Sequence, residues 1–156
     1  MNWKDIKLLV YDFDGVMTDN RVLLSEDGVE SAFVNRSDGL AISKIKKLGI
    51  LQIIISTETN PIVAKRSEKL NIDCYHGVEN KLQTLKDFLI DKNFDKKNVA
   101  YIGNDINDEE VMKYISFPIA PADAYPEILT IASYITKTKG GYGVIREIFS
   151  LLETKK

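Results

Sequence analysis

Two acidic residues near the start of the chain, Asp12 and Asp14, have the type and spacing for chemistry on a phosphate ester. They lie two positions apart, directly after an apolar run, and Gly15 follows them. Carboxylates are oxygen ligands for a hard cation such as Mg2+. One carboxylate can attack phosphorus and form an acyl phosphate, while the other protonates the leaving oxygen and then deprotonates water. The pair alone is equally compatible with a solvated acidic loop.

Two further polar segments follow or begin other predicted elements. Ser56, Thr57 and Glu58 come after the apolar run 53–55, where a hydroxyl and free backbone N–H groups can cradle phosphate. Lys81 begins a helical pattern, a place where the helix dipole does not favour a cation, so it is a candidate for phosphate binding. Taken alone, the first signal is weak, because an ordinary turn also explains it, and a surface lysine is the better explanation of Lys81.

The densest polar segment runs from Asn104 to Asp108, directly after the apolar run 98–102. Its side chains carry four oxygen-bearing groups, which suit a hard cation. Capping of the following helix accounts for one of them, Asn107 or Asp105. Because the others remain unexplained, the segment predicts a metal site.

Short apolar runs alternate with helix-like segments along the chain. Predicted strands cover 6–11, 50–55, 72–75, 98–102 and 117–120, with a weaker candidate at 133–135. Predicted helices cover 38–48, 61–70, 81–92, 107–114, 123–131 and 142–152, with Ser37 or Asp38 as the first cap. This alternation predicts an α/β fold with a mostly parallel sheet flanked by helices. Ligands of such sheets bind beyond the carboxyl ends of the strands, where the polar segments fall.

One segment breaks the alternation after the first strand. Two β-rich runs, 21–24 and 29–34, flank a turn that contains Asp27-Gly28. Asp-Gly between such runs is a hairpin signal, so we expect a β-hairpin before the first helix. The length of 156 residues suits one domain, and we expect residues 1–156 to form it.

Composition argues against several classes of partner. The net charge is −2, and the Lys and Arg residues form no basic stripe, so we expect no nucleic-acid partner. The apolar run near the N-terminus is too short for a membrane-spanning helix or a signal peptide, which favours a cytoplasmic protein with no membrane contact. Cys74 is the only cysteine, so no internal disulfide forms.

At the polar segments the sequence resembles the haloacid dehalogenase superfamily of phosphatases. The match consists of DxDGVxTD, Ser/Thr, Lys and GNDxND in that order, and it covers essentially the whole chain. The resemblance implies a Rossmann-like fold without a cap domain and Mg2+ as cofactor. It implies that Asp12 is the nucleophile and a metal ligand. Asp14 would be the general acid/base, with its backbone carbonyl on the metal.

The same resemblance assigns the remaining candidates. Ser56 and Lys81 would hold the transferring phosphoryl group, and Asn104 or Asp105 would complete the metal shell with Asp108 behind it. Many relatives have Asp where this chain has Asn104. An amide oxygen still ligates Mg2+, but with one negative charge fewer, so either metal affinity is weaker or Asp105 substitutes.

Further matches resemble the capless subgroup that dephosphorylates 3-deoxy-ulosonic acid phosphates. They are the hairpin, the stretch Ser37-Asp38-Gly39-Leu40, and the stretch GGYGVIRE that contains Arg146. This resemblance implies a small sugar-acid phosphate as substrate, with Asp38 and Arg146 among the substrate-binding residues. It also implies a homotetramer in which hairpins meet at the centre and a neighbouring subunit covers each active site.

The choice of sugar acid depends on Thr57, Glu58, Arg66 and Lys69. Octulosonate 8-phosphate phosphatases typically carry Thr-Gly-Arg where this chain has Ser56-Thr57-Glu58, whereas nonulosonate 9-phosphate phosphatases resemble it better. Arg66 and Lys69 are three apart on one helix face and suit a substrate carboxylate. We therefore expect a nonulosonate (sialic acid type) 9-phosphate, with 3-deoxy-D-manno-octulosonate 8-phosphate as the alternative.

A non-catalytic oligomerisation module is the alternative from another class. The sequence also resembles the C-terminal domain of animal acylneuraminate cytidylyltransferase, which lacks the full carboxylate pair. This chain keeps Asp12, Asp14 and Lys81. A receiver-type domain fits neither the hairpin nor the spacing of the two carboxylates. We therefore expect a phosphoric monoester hydrolase.

Overall fold

The computed structural model describes residues 2–154. Within this range the strands are β1 (Leu8–Tyr11), β2 (Leu23–Leu24), β3 (Glu30–Ser31), β4 (Leu51–Ile55), β5 (Asp73–Tyr75), β6 (Val99–Ile102), β7 (Phe117–Ala120) and β8 (Tyr134–Ile135). The α-helices are α1 (Arg36–Lys47), α2 (Ile62–Leu70), α3 (Lys81–Asp91), α4 (Glu109–Tyr114), α5 (Pro126–Ile131) and α6 (Val144–Thr154).

The main sheet contains six parallel strands in the order β5-β4-β1-β6-β7-β8, while β2 and β3 form a separate antiparallel hairpin. The first strand is central, and Tyr11 pairs with Ile54 of β4 and Ile102 of β6. Because the strands are parallel, the residues that follow β1, β4 and β6 emerge at one edge. The predicted parallel sheet, the sixth strand and the hairpin are confirmed.

Helices cover both faces of the sheet. Leu9 and Tyr11 face a core formed with α1, α2 and α6, whereas Leu8 and Val10 face a second core formed with α3, α4 and α5. Strands covered on both faces are apolar at nearly every position, which explains the almost uninterrupted apolar runs in the sequence. Each fully buried aliphatic or aromatic side chain contributes about 1.5–3 kcal/mol by leaving water.

Asparagine side chains begin two of the helices. Asn35 Oδ1 accepts a hydrogen bond from Ser37 N (2.8 Å), so α1 begins at Arg36, and the predicted cap at Ser37 or Asp38 is wrong. Asn80 Oδ1 accepts one from Gln83 N (2.8 Å), so α3 begins at Lys81 as predicted. Asparagine suits this position because its short side chain satisfies a free backbone N–H.

Three other predicted helices differ from the observed ones in where they begin. The predicted helix 107–114 divides into a 3-10 turn, Ile106–Asp108, and α4. The predicted helix 123–131 begins only at Pro126, whose fixed backbone angle favours the first helical position. The last helix begins two residues later than expected, after Gly143, whose φ of +106° is not helical.

The hairpin is shorter than predicted and exposes apolar side chains. Its paired residues are only Leu23 with Ser31 and Leu24 with Glu30. Leu23 and Leu24 are more than 60% exposed, and Phe33 is 78% exposed. A two-stranded ribbon of this size is marginal by itself in water. Among residues 2–154, no helix has the length and apolar character needed to cross a membrane.

Candidate active site

The carboxyl ends of three central strands bring the predicted catalytic segments together. Asp12 follows β1, Ser56 follows β4 and Asn104 lies two residues after β6. Asp12 N donates to Ile102 O (2.9 Å), which ties the first segment to the end of β6. The sheet therefore places the early carboxylates beside the polar segment after β6.

Lys81 lies between two buried carboxylates. Its Nζ is 2.8 Å from Asp12 Oδ1 and 2.7 Å from Asp108 Oδ1, and all three residues are at least 95% buried. Burial by itself lowers the pKa of Lys81, but the charges and hydrogen bonds of Asp12 and Asp108 outweigh this effect. The pKa of Lys81 is therefore raised, and the amine stays charged. A primary ammonium has three N–H donors, which leaves one for a phosphate oxygen.

Asp108 receives hydrogen bonds on both of its oxygens. Oδ1 accepts from Lys81 Nζ and from the hydroxyl of Tyr101 (2.7 Å), while Oδ2 accepts from the backbone of Asn104 (2.9 Å) and Asp105 (3.4 Å). Asp108 therefore connects the lysine to the loop after β6. The sequence did not single out Tyr101, because a tyrosine in an apolar strand is typical of a core residue.

Asp12 keeps one oxygen free of contacts within the described residues. Phe13 N (2.8 Å) and Lys81 Nζ both contact Oδ1, and no hydrogen bond reaches Oδ2. Burial raises the pKa of Asp12 well above its usual value and Asp108 raises it further, while Lys81 lowers it. A divalent cation at the site favours the ionised form, because bound metal ions reverse the local effect of burial.

Asp14 lies partly buried at the mouth of the cluster. Thr18 Oγ1 donates to its Oδ1 (3.2 Å) and itself accepts from Gly15 N (3.3 Å), which fixes the carboxyl to its own loop. Burial raises the pKa of Asp14, and Glu58 and Glu30 raise it further, against the hydrogen bond from Thr18 and the charge of Lys81. A raised pKa suits a group that must donate a proton near neutral pH.

Asn104 supplies an oxygen that suits a cation. Its Oδ1 is buried without a hydrogen-bond partner, and its side chain lies so close to Gly15 that a Cβ there would collide with it. Asp105 is engaged differently, since its Oδ1 accepts from Ile106 N (2.7 Å) and caps the 3-10 turn. No three His, Cys, Asp or Glu side chains within residues 2–154 form a metal cluster. A hard cation here therefore needs the Asn104 amide and a backbone carbonyl beside Asp12.

The segment after β4 presents its hydroxyl at the same edge of the sheet. Ser56 is 98% buried, and its Oγ accepts from Glu58 N (3.1 Å). Thr57 is exposed, and its Oγ1 accepts from Asn107 Nδ2 (3.3 Å), which spans the gap to the loop after β6. The Thr57 contact therefore places the segment after β4 beside the loop after β6.

Among the described residues, the other predicted substrate-binding side chains make no hydrogen bond or ion pair with this cluster. Asp38 is buried, and its Oδ1 accepts from Arg146 N (3.0 Å) at the start of α6. The Arg146 side chain contacts Ser150 on its own helix. Arg66 Nη2 donates to Asn35 O (2.9 Å).

The Lys69 side chain is exposed and forms no ion pair or hydrogen bond within residues 2–154. The convergence of Arg66 and Lys69 on a substrate carboxylate therefore stays a prediction.

Comparisons with known proteins agree with this arrangement. A family model described as haloacid dehalogenase-like hydrolase matches residues 11–148. The 3-deoxy-D-manno-octulosonate 8-phosphate phosphatase of Escherichia coli K12 is 35% identical over 150 residues, which is 96% of this chain and 80% of that protein. The enzyme of the same name from Yersinia pestis is 34% identical over 149 residues, 95% of this chain and 80% of that protein.

Solved structures of similarly named proteins share the fold. The 3-deoxy-D-manno-octulosonate 8-phosphate phosphatase of Moraxella catarrhalis, solved with a magnesium ion, a phosphate ion and a KDO molecule, superposes with a TM-score of 0.94 at 28% identity. The superposition covers 99% of this chain and 90% of the Moraxella catarrhalis chain. The Yersinia pestis structure has a TM-score of 0.94 at 33% identity, over 99% of this chain and 84% of that chain.

Proposed function

The chain belongs to the haloacid dehalogenase-like hydrolases, and from this premise we propose that it cleaves the phosphate ester of a 3-deoxy-ulosonic acid through a covalent intermediate on Asp12. It is a phosphoric monoester hydrolase that uses Mg2+. The observation that carries the proposal is the placement of Lys81 Nζ between Asp12 and Asp108. The alternative of a non-catalytic module is not supported, because the chain keeps Asp14 and places Lys81 in contact with Asp12.

The amide oxygen of Asn104, which has no hydrogen-bond partner among the described residues, supports a metal position beside Asp12. Asp12, the backbone carbonyl of Asp14 and the amide oxygen of Asn104 would hold Mg2+, and Asp108 would orient the loop behind them. Hard cations prefer such oxygen ligands. When bound, Mg2+ supplies positive charge against the phosphate oxygens. Asp105 is the weaker candidate because its side chain already caps a turn.

The chain's own residues account for the two half-reactions. Asp12 Oδ2 attacks phosphorus, and the bond from phosphorus to the sugar oxygen breaks. Asp14 gives its proton to that oxygen and then removes a proton from the water that hydrolyses the aspartyl phosphate. Lys81 Nζ and Ser56 Oγ hold the phosphoryl oxygens during both steps.

Hydrolysis of p-nitrophenyl phosphate with and without Mg2+ tests this proposal. We expect release of nitrophenol with Mg2+ and its loss when a chelator removes the metal. A protein that is folded and Mg2+-loaded but does not hydrolyse the ester would contradict the proposal. The assay needs no assumption about the natural sugar acid.

Two sugar acids remain as candidate substrates. The names of the similar enzymes support 3-deoxy-D-manno-octulosonate 8-phosphate. Glu58 supports a nonulosonate 9-phosphate instead, because its charge lies within reach of Asp14, where it can accept hydrogen bonds from sugar hydroxyls. Arg66 and Lys69 would then bind the substrate carboxylate, with Thr57 and Arg146 beside the sugar. Asp38 is buried against the α6 backbone, so it would support the site from behind rather than contact the sugar.

A comparison of kcat/KM for both phosphates distinguishes these substrates. We expect Glu58→Arg to shift the ratio about tenfold toward octulosonate 8-phosphate, since one unfavourable charge contact costs about 1.4 kcal/mol or more. Glu68→Arg, the same charge reversal on the exposed surface of α2, is the control and leaves the ratio unchanged. An unchanged ratio in Glu58→Arg would remove the case for the nonulosonate.

The exposed hairpin supports a homotetramer in which hairpins pack together and a neighbouring subunit covers the active site. Val22, Leu23, Leu24 and Phe33 are all more than half exposed, and exposed apolar strand edges associate unless they are covered. Analytical ultracentrifugation of the chain and of Leu23→Lys/Phe33→Lys tests this: the double variant becomes monomeric. The cytoplasmic location is likewise a proposal.

A further inference from the structure

The hydroxyl of Tyr101 lies directly behind the buried lysine. Tyr101 is fully buried in β6, and its hydroxyl oxygen is 2.7 Å from Asp108 Oδ1. Asp108 Oδ1 is also 2.7 Å from Lys81 Nζ. Tyr101 and Lys81 therefore donate to the same carboxylate oxygen, a contact that core packing does not require.

The two oxygens of Asp108 serve different parts of the site. Oδ2 holds the backbone of Asn104 and Asp105, which is the side proposed to bind the metal. Oδ1 holds Lys81, which is the side proposed to bind the phosphoryl group. Tyr101 bonds only Oδ1, so its hydroxyl acts on the phosphoryl side.

We propose that Tyr101 is a positioning residue for phosphoryl transfer, whose hydroxyl fixes the rotation of the Asp108 carboxylate and thereby holds Lys81 Nζ against Asp12. This inference rests on the proposed phosphatase function and adds to it a residue outside the recognised motifs. Without the hydroxyl, Asp108 Oδ1 has Lys81 as its only donor, and both side chains gain rotational freedom. The ammonium then meets the phosphoryl oxygens less often in the productive orientation.

The hydroxyl acts as a donor throughout the accessible pH range. Burial raises the pKa of Tyr101 well above its usual value, and the charges of Asp108 and Asp12 raise it further. A protonated phenol next to a carboxylate donates a hydrogen bond to it, and bonds to a charged acceptor are stronger than neutral ones. The contact is therefore present whenever Asp108 is ionised.

Tyr11 offers a matched control in the neighbouring strand. It is also fully buried, and its hydroxyl donates to the neutral Gln52 Oε1 (2.9 Å) in the core on the opposite face of the sheet. Tyr11→Phe and Tyr101→Phe remove the same atom from equally buried positions. Only Tyr101→Phe removes it from the chain of contacts that reaches Lys81.

The test measures three quantities in each variant: calorimetric affinity for Mg2+, calorimetric affinity for inorganic phosphate at saturating Mg2+, and kcat for p-nitrophenyl phosphate. In Tyr101→Phe we expect about tenfold losses in phosphate affinity and in kcat, from the loss of one hydrogen bond to a charged group. We expect Mg2+ affinity to stay within about twofold, because Oδ2 keeps its partners. In Tyr11→Phe all three quantities stay within about twofold.

A double-mutant cycle with Asp108→Asn shows whether Tyr101 acts through Asp108. Tyr101→Phe costs no further phosphate affinity in the Asp108→Asn background if it does, and additive losses would overturn the inference. Equal losses of Mg2+ and phosphate affinity in Tyr101→Phe, or no loss of either, would also overturn it. Tyr101→Met carries the same test if Tyr101→Phe does not fold, since methionine fills irregular core space.

The outcomes separate this inference from the proposed function. A wild-type chain that neither binds phosphate nor hydrolyses the ester overturns both. A wild-type chain that does both, while Tyr101→Phe behaves like Tyr11→Phe, overturns the role of Tyr101 alone.

Discussion

Gly140 lies directly against the backbone carbonyl of Gly15, so the glycine-rich segment before α6 supports the loop that carries Asp14. A Cβ on Gly140 would overlap the Gly15 oxygen, and one on Gly141 would meet the backbone of Thr18. Gly141 N also donates to Val16 O (3.0 Å). Gly140 and Gly141 of the C-terminal motif are thus explained by close contact between two backbones.

Glu147 holds the segment that presents these glycines. Its Oε1 accepts from Lys137 N (3.0 Å) and the Tyr134 hydroxyl (2.9 Å), and its Oε2 accepts from Thr138 N (2.9 Å). One carboxylate therefore fixes the backbone that leads from β8 to Gly140. The catalytic loop depends in this way on residues more than a hundred positions later in the chain.

Gly140→Ala is predicted to impair both stability and turnover. The new methyl group displaces the Gly15 carbonyl, and overpacking of this kind costs about 1–3 kcal/mol. Because Asp14 lies next to Gly15, we expect kcat to fall by at least about tenfold, measured with p-nitrophenyl phosphate alongside the melting temperature. Gly39→Ala is the control: it lies inside α1, where the methyl meets only ordinary contacts and alanine favours the helix.

Asp12→Asn is predicted to remove steady-state hydrolysis by at least about a thousandfold, since the amide is not a nucleophile. The fold persists, because the amide oxygen can still accept from Phe13 N and Lys81. Circular dichroism checks the fold, and Asp87→Asn on the exposed surface of α3 is the control that keeps full activity. Turnover near that of the wild type would refute the covalent mechanism.

Metal affinity distinguishes Asn104 from Asp105 as the ligand. Asn104→Asp adds a negative charge at the free oxygen, so we expect Mg2+ to bind about tenfold more tightly, measured by calorimetry. Asp105→Asn leaves Mg2+ affinity within about twofold and costs at most about 1 kcal/mol of stability through the weakened cap. A large loss of affinity in Asp105→Asn, with none in Asn104→Ala, would assign the ligand to Asp105.

Asp38 makes the stability of the protein depend on pH. Burial raises the pKa of Asp38 to about 6, against hydrogen bonds from the α6 backbone and the charge of Arg66. In the unfolded chain an aspartate titrates near about 3.9. Between these values the folded protein binds a proton that the unfolded chain does not. The Asp38 contribution to stability therefore increases as pH falls from above 6 toward 4, by on the order of 2–3 kcal/mol.

Melting temperatures of the wild type and Asp38→Asn, measured from pH 4.5 to 7.5, isolate this contribution. We expect the difference between them to change in favour of the wild type as pH falls through about 6, because the variant cannot bind the proton. Other titrating carboxyls affect both proteins alike and cancel. A difference that is constant over the whole range would show that Asp38 titrates normally.

The main part of the site was predictable because a parallel sheet fixes where its strands end. Once 6–11, 50–55 and 98–102 are identified as parallel strands, Asp12, Ser56 and Asn104 must emerge at one edge. The spacing of the apolar runs was enough for this conclusion. The strand order that places β1 between β4 and β6 then determines which of these residues are neighbours.

Contacts between atoms distant in sequence were not predictable from the pattern. The alternation of a strand indicates which face Tyr101 occupies, but not that its hydroxyl meets Asp108. The residue type and position of Asp38 suggested a cap for its own helix, yet its carboxylate accepts a hydrogen bond from Arg146 N in the last helix. The first cap was missed because several consecutive polar residues can serve, and only the backbone geometry selects Asn35.

The central position of β1 has a consequence for synthesis on the ribosome. This strand leaves the exit tunnel before the other strands of the sheet, and its two neighbours are made about forty and ninety residues later. Asp12 must therefore wait for most of the polypeptide before Lys81 can neutralise it and Asp108 can hold that lysine in place. A nascent chain released before β6 is made would leave one edge of β1 without a paired strand. It would also lack Asp108, so it could not assemble the catalytic cluster.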